Sequence, residues 1–349
     1  MDKLVFSQDL FQDIALLLQK GAFTSAYILT DRNTFTHCLP LLPQELRDSS
    51  TLITVPAGEE SKNLQNAEKI WSQLLEKEAD RNAVLINLGG GMVTDLGSFA
   101  ASTYKRGISY INIPTTLLGI VDAAIGGKTG INFGEIKNTI GTFAMPYSII
   151  FHTPFLYTLP ECELRSGYAE VIKYALIADA ELWQNLQIIF NPEQLILQPE
   201  IMQNCMKIKQ EITIADPHEK GVRKVLNFGH TIGHALESLS YQKNENQSLH
   251  HGEAVAIGMI VEAYLSHAIN GMPQEQMQAI TDYMLKFFKL YEISENDYEE
   301  IFALMRNDKK NSRGNFRLVL LDKIGKAVFD VPCSENEVRK ALDFYRSLL

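Results

Sequence analysis

Between Ser25 and Pro114, short apolar runs alternate with a stretch of helical period, and this alternation restricts the fold more than any other feature of the chain. Tyr27-Ile28-Leu29 and Leu52-Ile53-Thr54-Val55 read as short buried strands. Leu64, Ala67, Trp71, Leu74 and Leu75 then recur at helical spacing, and Ala83 to Leu88 and Tyr110 to Ile113 read as strands again. Strands separated by helical segments argue for a parallel sheet with crossover helices. After about residue 160 the character changes. Segments at 166 to 190, 200 to 215, 229 to 240, 252 to 270, 274 to 290 and 297 to 306 all read as helix, with one hairpin signal at Phe316 to Val331 around Lys323-Ile324-Gly325. At 349 residues the chain exceeds what one hydrophobic core usually serves. Pro154 and Pro160 bracket a short aromatic stretch that marks a boundary. The expectation is an α/β domain over residues 1–158 and a mostly α-helical domain over residues 159–349, with no internal repeat.

Charge and cysteines exclude several function classes. The formal net charge of -10 argues against a nucleic-acid or anionic-membrane partner, since those need a basic face. Any anionic ligand must meet a local cationic pocket. Cys38, Cys162, Cys205 and Cys333 are scattered, without Cys-x-x-Cys spacing, and read as reduced thiols, mostly buried. The N-terminus lacks the pattern of a secretion signal and no apolar run approaches membrane-spanning length, which predicts a cytoplasmic location.

Two glycine-rich segments suit phosphate groups. Gly89-Gly90-Gly91 follows a strand directly and precedes a helix-like run holding Asp95, Gly97 and Ala100. Without Cβ atoms the backbone can approach a pyrophosphate, and the helix N-terminus offers free N–H groups. The Gly-x-Gly-x-x-Gly fingerprint fails at Thr94, so a plain tight turn remains an equal reading. Val121 to Gly130 ends like a nucleotide P-loop, but Asp122 stands where the first glycine is required. Glycines around Lys128 still suit an anion, and Lys137-Asn138 follows close by.

The helical half carries the metal-type residues. Four of the eight histidines lie between His230 and His251. His230 and His234, four apart on a helix, share one face, and His250 and His251 open a second apolar segment able to fold back beside the first. This is not His-Glu-x-x-His, because Thr231 stands at the general-base position. The bland reading is a polar helix edge; His251 and a carboxylate from elsewhere favour a metal, without telling His230 from His234. Glu170 and Lys173, three apart on an apolar helix, would by default be a surface ion pair. Lys209, Glu219 and Arg223 read by default as a solvated charged run.

Taken together, these motifs resemble the 3-dehydroquinate synthase family. The resemblance runs in order along most of the chain: Gly58-Glu59 with Lys62, Gly-Gly-Gly-Met-Val-Thr-Asp, Tyr-Lys-Arg-Gly, Pro-Thr-Thr-Leu-Leu, and Val-Asp-Ala-Ala-Ile-Gly-Gly-Lys-Thr-Gly. Lys-Asn, Thr-Leu-Pro, Ala-Glu-Val-Ile-Lys, Leu-Asn-Phe-Gly-His-Thr-Ile-Gly-His and His-Gly-Glu-Ala-Val-Ala follow. Ile136 and Met145 depart from the residues common at their positions. The resemblance implies an N-terminal NAD-binding domain on a Rossmann-like parallel sheet, a helical C-terminal domain, a metal site in the cleft between them, and a homodimer.

By position it makes Glu170, His230 and His251 the ligands of zinc, or cobalt, with His234 an acid/base group beside the metal. NAD contacts would come from Glu59 and Lys62, from Gly91, Met92, Val93, Thr94 and Asp95, and from Thr115 and Thr116. Lys128 and Lys137 would add to these, as would Phe155, Leu156, Tyr157 and Thr158. Substrate contacts would come from Asp122, Lys128, Asn138, Lys173, Lys209, Arg223 and Asn227, with Lys309 or Lys310 joining them and Arg106 crossing to the neighbouring subunit. The implied reaction belongs to the shikimate pathway of aromatic amino acid biosynthesis. It converts 3-deoxy-D-arabino-heptulosonate 7-phosphate to 3-dehydroquinate and phosphate, by transient oxidation with NAD, phosphate elimination, reduction and aldol closure. The alternatives are another sugar-phosphate cyclase, a metal-dependent polyol dehydrogenase, or a silent NAD-binding protein.

Overall fold

The apolar runs of the N-terminal half lie side by side as six strands, every pairing parallel. Their order across the sheet is Leu4–Phe6, Ser148–Phe151, Ser109–Pro114, Val84–Gly89, Ala26–Asp31 and Thr51–Val55. The computed structural model describes residues 4–134, 136–243, 248–306 and 315–349, and the chain divides into units Met1–Pro160 and Glu161–Leu349. Neighbouring residues point to opposite faces, and both faces are covered. Leu29, Ile53 and Leu85 pack on one side with Val93 and Leu96, whereas Ile28, Ile86, Ile111 and Ile150 pack on the other with Leu10 and Ile14. The chain leaves Ala26–Asp31 for the strand on one side of it and resumes at Val84–Gly89 on the other. This reversal places the Gly90-Gly91 turn at a topological switch point, where parallel sheets open a crevice at their carboxyl ends.

Several elements lay outside the sequence reading. Leu4–Phe6 is too short for a periodic signal, and the segment read as a loop around Lys128 is a hairpin, Lys128–Phe133 paired antiparallel with Ile136–Phe143. The helical run read as 166 to 190 breaks in two, Glu161–Ala178 and Ala180–Leu186. Asp179 causes the break by accepting hydrogen bonds from the Glu181 and Leu182 amides, which starts a new helix. Ser334 and Glu337 form a capping box that begins a last helix, Glu335–Arg346.

The second unit is built around the His251–Asn270 helix, which packs on Glu161–Ala178, His230–Lys243, Gln274–Phe287, Glu335–Arg346 and the Asn315–Lys323 strand. In length and apolarity this helix equals a membrane span, contrary to expectation; 72% of its apolar stretch is buried inside the protein, so its composition answers to the helices and strand packed around it. Glycines let these neighbours approach to backbone distance. A Cβ on Gly258 would stand 1.9 Å from the Gly229 carbonyl oxygen, and one on Gly252 would stand 2.3 Å from Ser166 Cα.

Replacing Gly258 by Ala therefore tests the packing by its sign. Helix propensity alone would stabilise the variant by about 1 kcal/mol. Overpacking against rigid backbone should outweigh this and lower the unfolding free energy by about 1 to 3 kcal/mol. Urea unfolding of the two proteins gives the difference, and a more stable variant would contradict the packing described.

Candidate active site

The two close approaches bring three helices to one point. Glu170, fully buried on Glu161–Ala178, directs Oε1 to 3.4 Å from His230 Nε2 and to 3.4 Å from His251 Nε2. The Lys173 ammonium lies against Oε2. Among the described residues neither Glu170 oxygen has a hydrogen-bond partner of acceptable geometry. The 3.4 Å separations exceed those of charge-assisted hydrogen bonds, about 2.7 to 2.9 Å. They equal the spacing of two donor atoms around one tetrahedral ion, which bond lengths of roughly 2.0 to 2.1 Å set at about 3.3 to 3.4 Å. Two imidazoles and a carboxylate are a zinc-type donor set.

Ring orientation agrees. His230 Nδ1 lies 3.0 Å from the Phe228 carbonyl oxygen, which can only accept, so Nδ1 carries a proton and Nε2 is the nitrogen turned toward Glu170. His251 Nδ1 faces Glu237 Oε2 more loosely, at 3.7 Å. Burial alone would raise the Glu170 pKa, but Lys173 and His230 hold it well below the usual carboxylate range. Burial works in the opposite sense on His251, and the Glu170 and Glu237 carboxylates push it up to about 10. At 27% exposure water still reaches that ring and damps the effect. His234 is exposed, and its ring centroid lies 5.2 Å from that of His230 and 5.7 Å from that of His251. The ring nitrogens of the three histidines fall within 4.8 Å of one another, so a second donor set shares His230 and His251.

Three buried cations lie on elements that pack together, and one of them, Lys173, touches Glu170. Lys173, Lys209 and Arg223 are 1%, 6% and 2% exposed. They lie on Glu161–Ala178, on Pro199–Ala215 and on the Val222–Asn227 turn, each of which packs on the other two. The approach to that turn is fixed by Asp216, which accepts from the amides of Lys220 at 3.0 Å, Gly221 at 2.6 Å and Arg223 at 3.1 Å. Arg223 Nη1 donates to the Pro217 carbonyl at 2.8 Å, and Asn227 Nδ2 donates to Glu219 at 2.7 Å. These residues read as surface charges in the sequence because nothing there reports that their helices are packed.

The remaining site residues, apart from Lys309 and Lys310, belong to the first unit. Lys62 is buried and donates to Asp95 Oδ2 at 2.6 Å, with exposed Glu59 at 3.6 Å. Burial would lower its pKa, and Asp95 and Glu59 raise it instead. Gly91, Met92 and Asp95 are half-buried on the first turns of the Gly91–Thr103 helix, while Val93 and Thr94 are buried. Thr115 donates its amide to the Gly89 carbonyl at 3.0 Å, and Thr116 Oγ1 accepts from Gly119 at 3.0 Å, so both stand just past the carboxyl end of Ser109–Pro114, beside that of Val84–Gly89. Phe155 and Leu156 are buried, and only Tyr157 and Thr158 of that turn are exposed. Asp122 is half-buried in the Gly119–Ala123 turn. Lys128, Lys137 and Asn138 are exposed on the hairpin, Asn138 at φ 53°. Arg106 is exposed at φ 69°, between Lys105 at 49° and Gly107 at 114°. Lys309 and Lys310 lie outside the described residues.

Three supporting residues escaped the sequence reading. Glu237 stands seven residues after His230 and three after His234, on the face they share. Ser166 Oγ accepts the Gly252 amide at 2.9 Å, fixing the residue after His251. Glu262 interrupts an otherwise apolar run from Ala254 to Leu265, which was its available signal.

Comparison with known proteins finds similarity along most of the chain. The family model for the 3-dehydroquinate synthase N-terminal region covers residues 52–166, and that for the C-terminal region covers 167–311. A 3-dehydroquinate synthase of Parabacteroides distasonis is 38% identical over 346 residues, 99% of this chain and 98% of its own. A 2-epi-5-epi-valiolone synthase from Streptomyces hygroscopicus subsp. jinggangensis, solved with NAD+ and Zn2+ bound, superimposes with TM-score 0.85 at 26% identity, covering 100% of this chain and 98% of its own. A 2-deoxy-scyllo-inosose synthase complexed with carbaglucose-6-phosphate, NAD+ and Co2+ superimposes with TM-score 0.84 at 23% identity, covering 99% and 96%. With its parallel sheet, its helical second unit and both halves of the family pattern in sequence, the chain belongs to the 3-dehydroquinate synthase family.

Proposed function

We propose that the chain is a phosphorus-oxygen lyase that converts 3-deoxy-D-arabino-heptulosonate 7-phosphate to 3-dehydroquinate and phosphate. The reading makes it a cytoplasmic homodimer using NAD+ and one divalent ion, zinc or cobalt. The observation that carries the chemistry is the buried Glu170 carboxylate at metal-edge spacing from two imidazoles; near full-length similarity to named synthases carries the choice of reaction. When bound, the ion supplies Lewis-acid polarisation without redox chemistry of its own, and NAD+ supplies reversible hydride transfer.

The chain's residues divide the remaining work. Glu170, His230 and His251 hold the ion, and His234 moves a proton at the substrate hydroxyl. Lys173, Lys209 and Arg223, with Asn227, grip the substrate anion and keep one conformer in place. Asp122, Lys128 and Asn138 orient the sugar chain, with Lys309 or Lys310 beside them. Gly91 to Asp95 offer the helix N-terminus to the pyrophosphate. Glu59, Lys62, Thr115 and Thr116 complete the dinucleotide site together with Lys128, Lys137 and the Phe155 to Thr158 turn. Arg106 grips the substrate phosphate of the neighbouring subunit, where a planar guanidinium binds bidentately as lysine does not.

Because hydride returns within each cycle, substoichiometric NAD+ should support many turnovers of the heptulosonate phosphate, followed by phosphate release and product identity. Free NADH accumulating in step with product would instead indicate a polyol dehydrogenase. His251→Ala should lose bound metal and at least about 100-fold in turnover, a loss beyond the 10- to 100-fold typical of outer-shell changes; full metal content with full activity would contradict the ligand set. Arg106→Ala should cost about 1.5 to 3 kcal/mol in kcat/KM. Mixed with His251→Ala subunits it should regain activity, because each heterodimer unites an intact Arg106 with an intact metal site. Demonstrated heterodimers without recovery would confine Arg106 to its own subunit.

A further inference from the structure

We infer that Glu262 is a positioning residue for His230, acting through the peptide unit between Phe228 and Gly229. The inference rests on the reading of His230 as a metal ligand. Glu262 is the one acidic or basic residue between Ala254 and Leu265 of the His251–Asn270 helix and is 0% exposed. A carboxyl so placed is unfavourable unless it satisfies another buried polar group. Its Oε2 accepts the Gly229 amide at 2.6 Å, while Oε1 has no hydrogen-bond partner among the described residues. Burial, opposed only by that amide, raises its pKa well above the ordinary value.

The amide it holds belongs to the peptide unit whose carbonyl, that of Phe228, takes the Nδ1 proton of His230 at 3.0 Å. Fixing one end of a planar unit fixes the other. Glu262 thus orients the carbonyl that orients the imidazole, and each bond polarises the next. The next peptide unit, between Gly229 and His230, is pinned by the same helix. Gly229, at φ 77°, presses its carbonyl onto Gly258, one helical turn before Glu262 and on the same face. One helix face therefore sets both the place and the tilt of the strand of backbone entering His230.

A neutral acceptor suffices for this role, so Glu262→Gln should preserve it and Glu262→Met should remove it. Zinc affinity of the metal-free proteins, by competition with a chromophoric chelator, should stay within about threefold for Glu262→Gln. It should fall about 10- to 100-fold for Glu262→Met, the range for outer-shell partners of a ligating histidine. In a His230→Ala background, Glu262→Met should change zinc affinity less than about twofold, an outcome that general loosening of the fold would not give. Thermal unfolding of the metal-free proteins runs alongside. Should Glu262→Met not fold, Glu262→Asp takes its place, its carboxyl drawn back by a methylene, and weakened binding by Asp but not Gln is expected. Equal zinc affinity in wild type, Gln and the Met or Asp variant would overturn the inference. If wild type itself binds no zinc, or His230→Ala binds it as wild type does, the metal reading fails first.

Discussion

The contact on which the site depends is backbone against backbone. Gly258 lies on the Gly229 carbonyl and Gly252 lies on Ser166, with no room for a methyl group at either place. These contacts draw the helices beginning at His230 and His251 onto each other and onto the helix carrying Glu170. Side chains of ordinary size would hold the axes about 8 to 10 Å apart, and ligand atoms would then have to be delivered by long, mobile arms. Here short imidazoles and one carboxylate meet at 3.4 Å because the main chains are already close.

Charge then determines what such a point can do. A fully buried carboxylate beside Lys173, with Lys209 and Arg223 on neighbouring elements, is a concentration of buried ionic groups that folding alone disfavours. The chain as a whole carries -10, so this cationic interior is a local feature set against the overall field. An acidic, phosphorylated sugar and a divalent ion together offer the complementary charges. In the first unit the buried Lys62 pairs with Asp95, which follows the glycine turn at the sheet's switch point closely in sequence. Sites of both kinds lie where the backbone is fixed, on helix starts and strand ends.

Much of the architecture was legible because it is periodic. The strands around Ile28, Ile53 and Ile86 and the helix through Leu74 announced a parallel sheet, and the helical second half showed the 3.6-residue rhythm. Leu4–Phe6 was hidden by its length, and the Asp179 break by a local cap that periodicity does not register. The candidate site was legible chiefly through resemblance. Spacing alone grouped His230 with His234 and left Lys209 and Arg223 as solvated charges. What separates these readings is three-dimensional: the direction of Glu170, the Phe228 carbonyl on His230, and the burial of the cations. Glu262 is a physical reason of the same kind, since a lone acid in an apolar helix is visible in sequence while its partner, a backbone amide 33 residues earlier, is not.

The central claim is that Glu170 and two particular histidines form the donor set, and anomalous diffraction at the zinc edge from zinc-loaded crystals tests it directly. The expected result is one peak bonded to a Glu170 oxygen, His230 Nε2 and His251 Nε2, with His234 turned toward the open side. A peak bonded to His230, His234 and His251, leaving Glu170 paired only with Lys173, would contradict it.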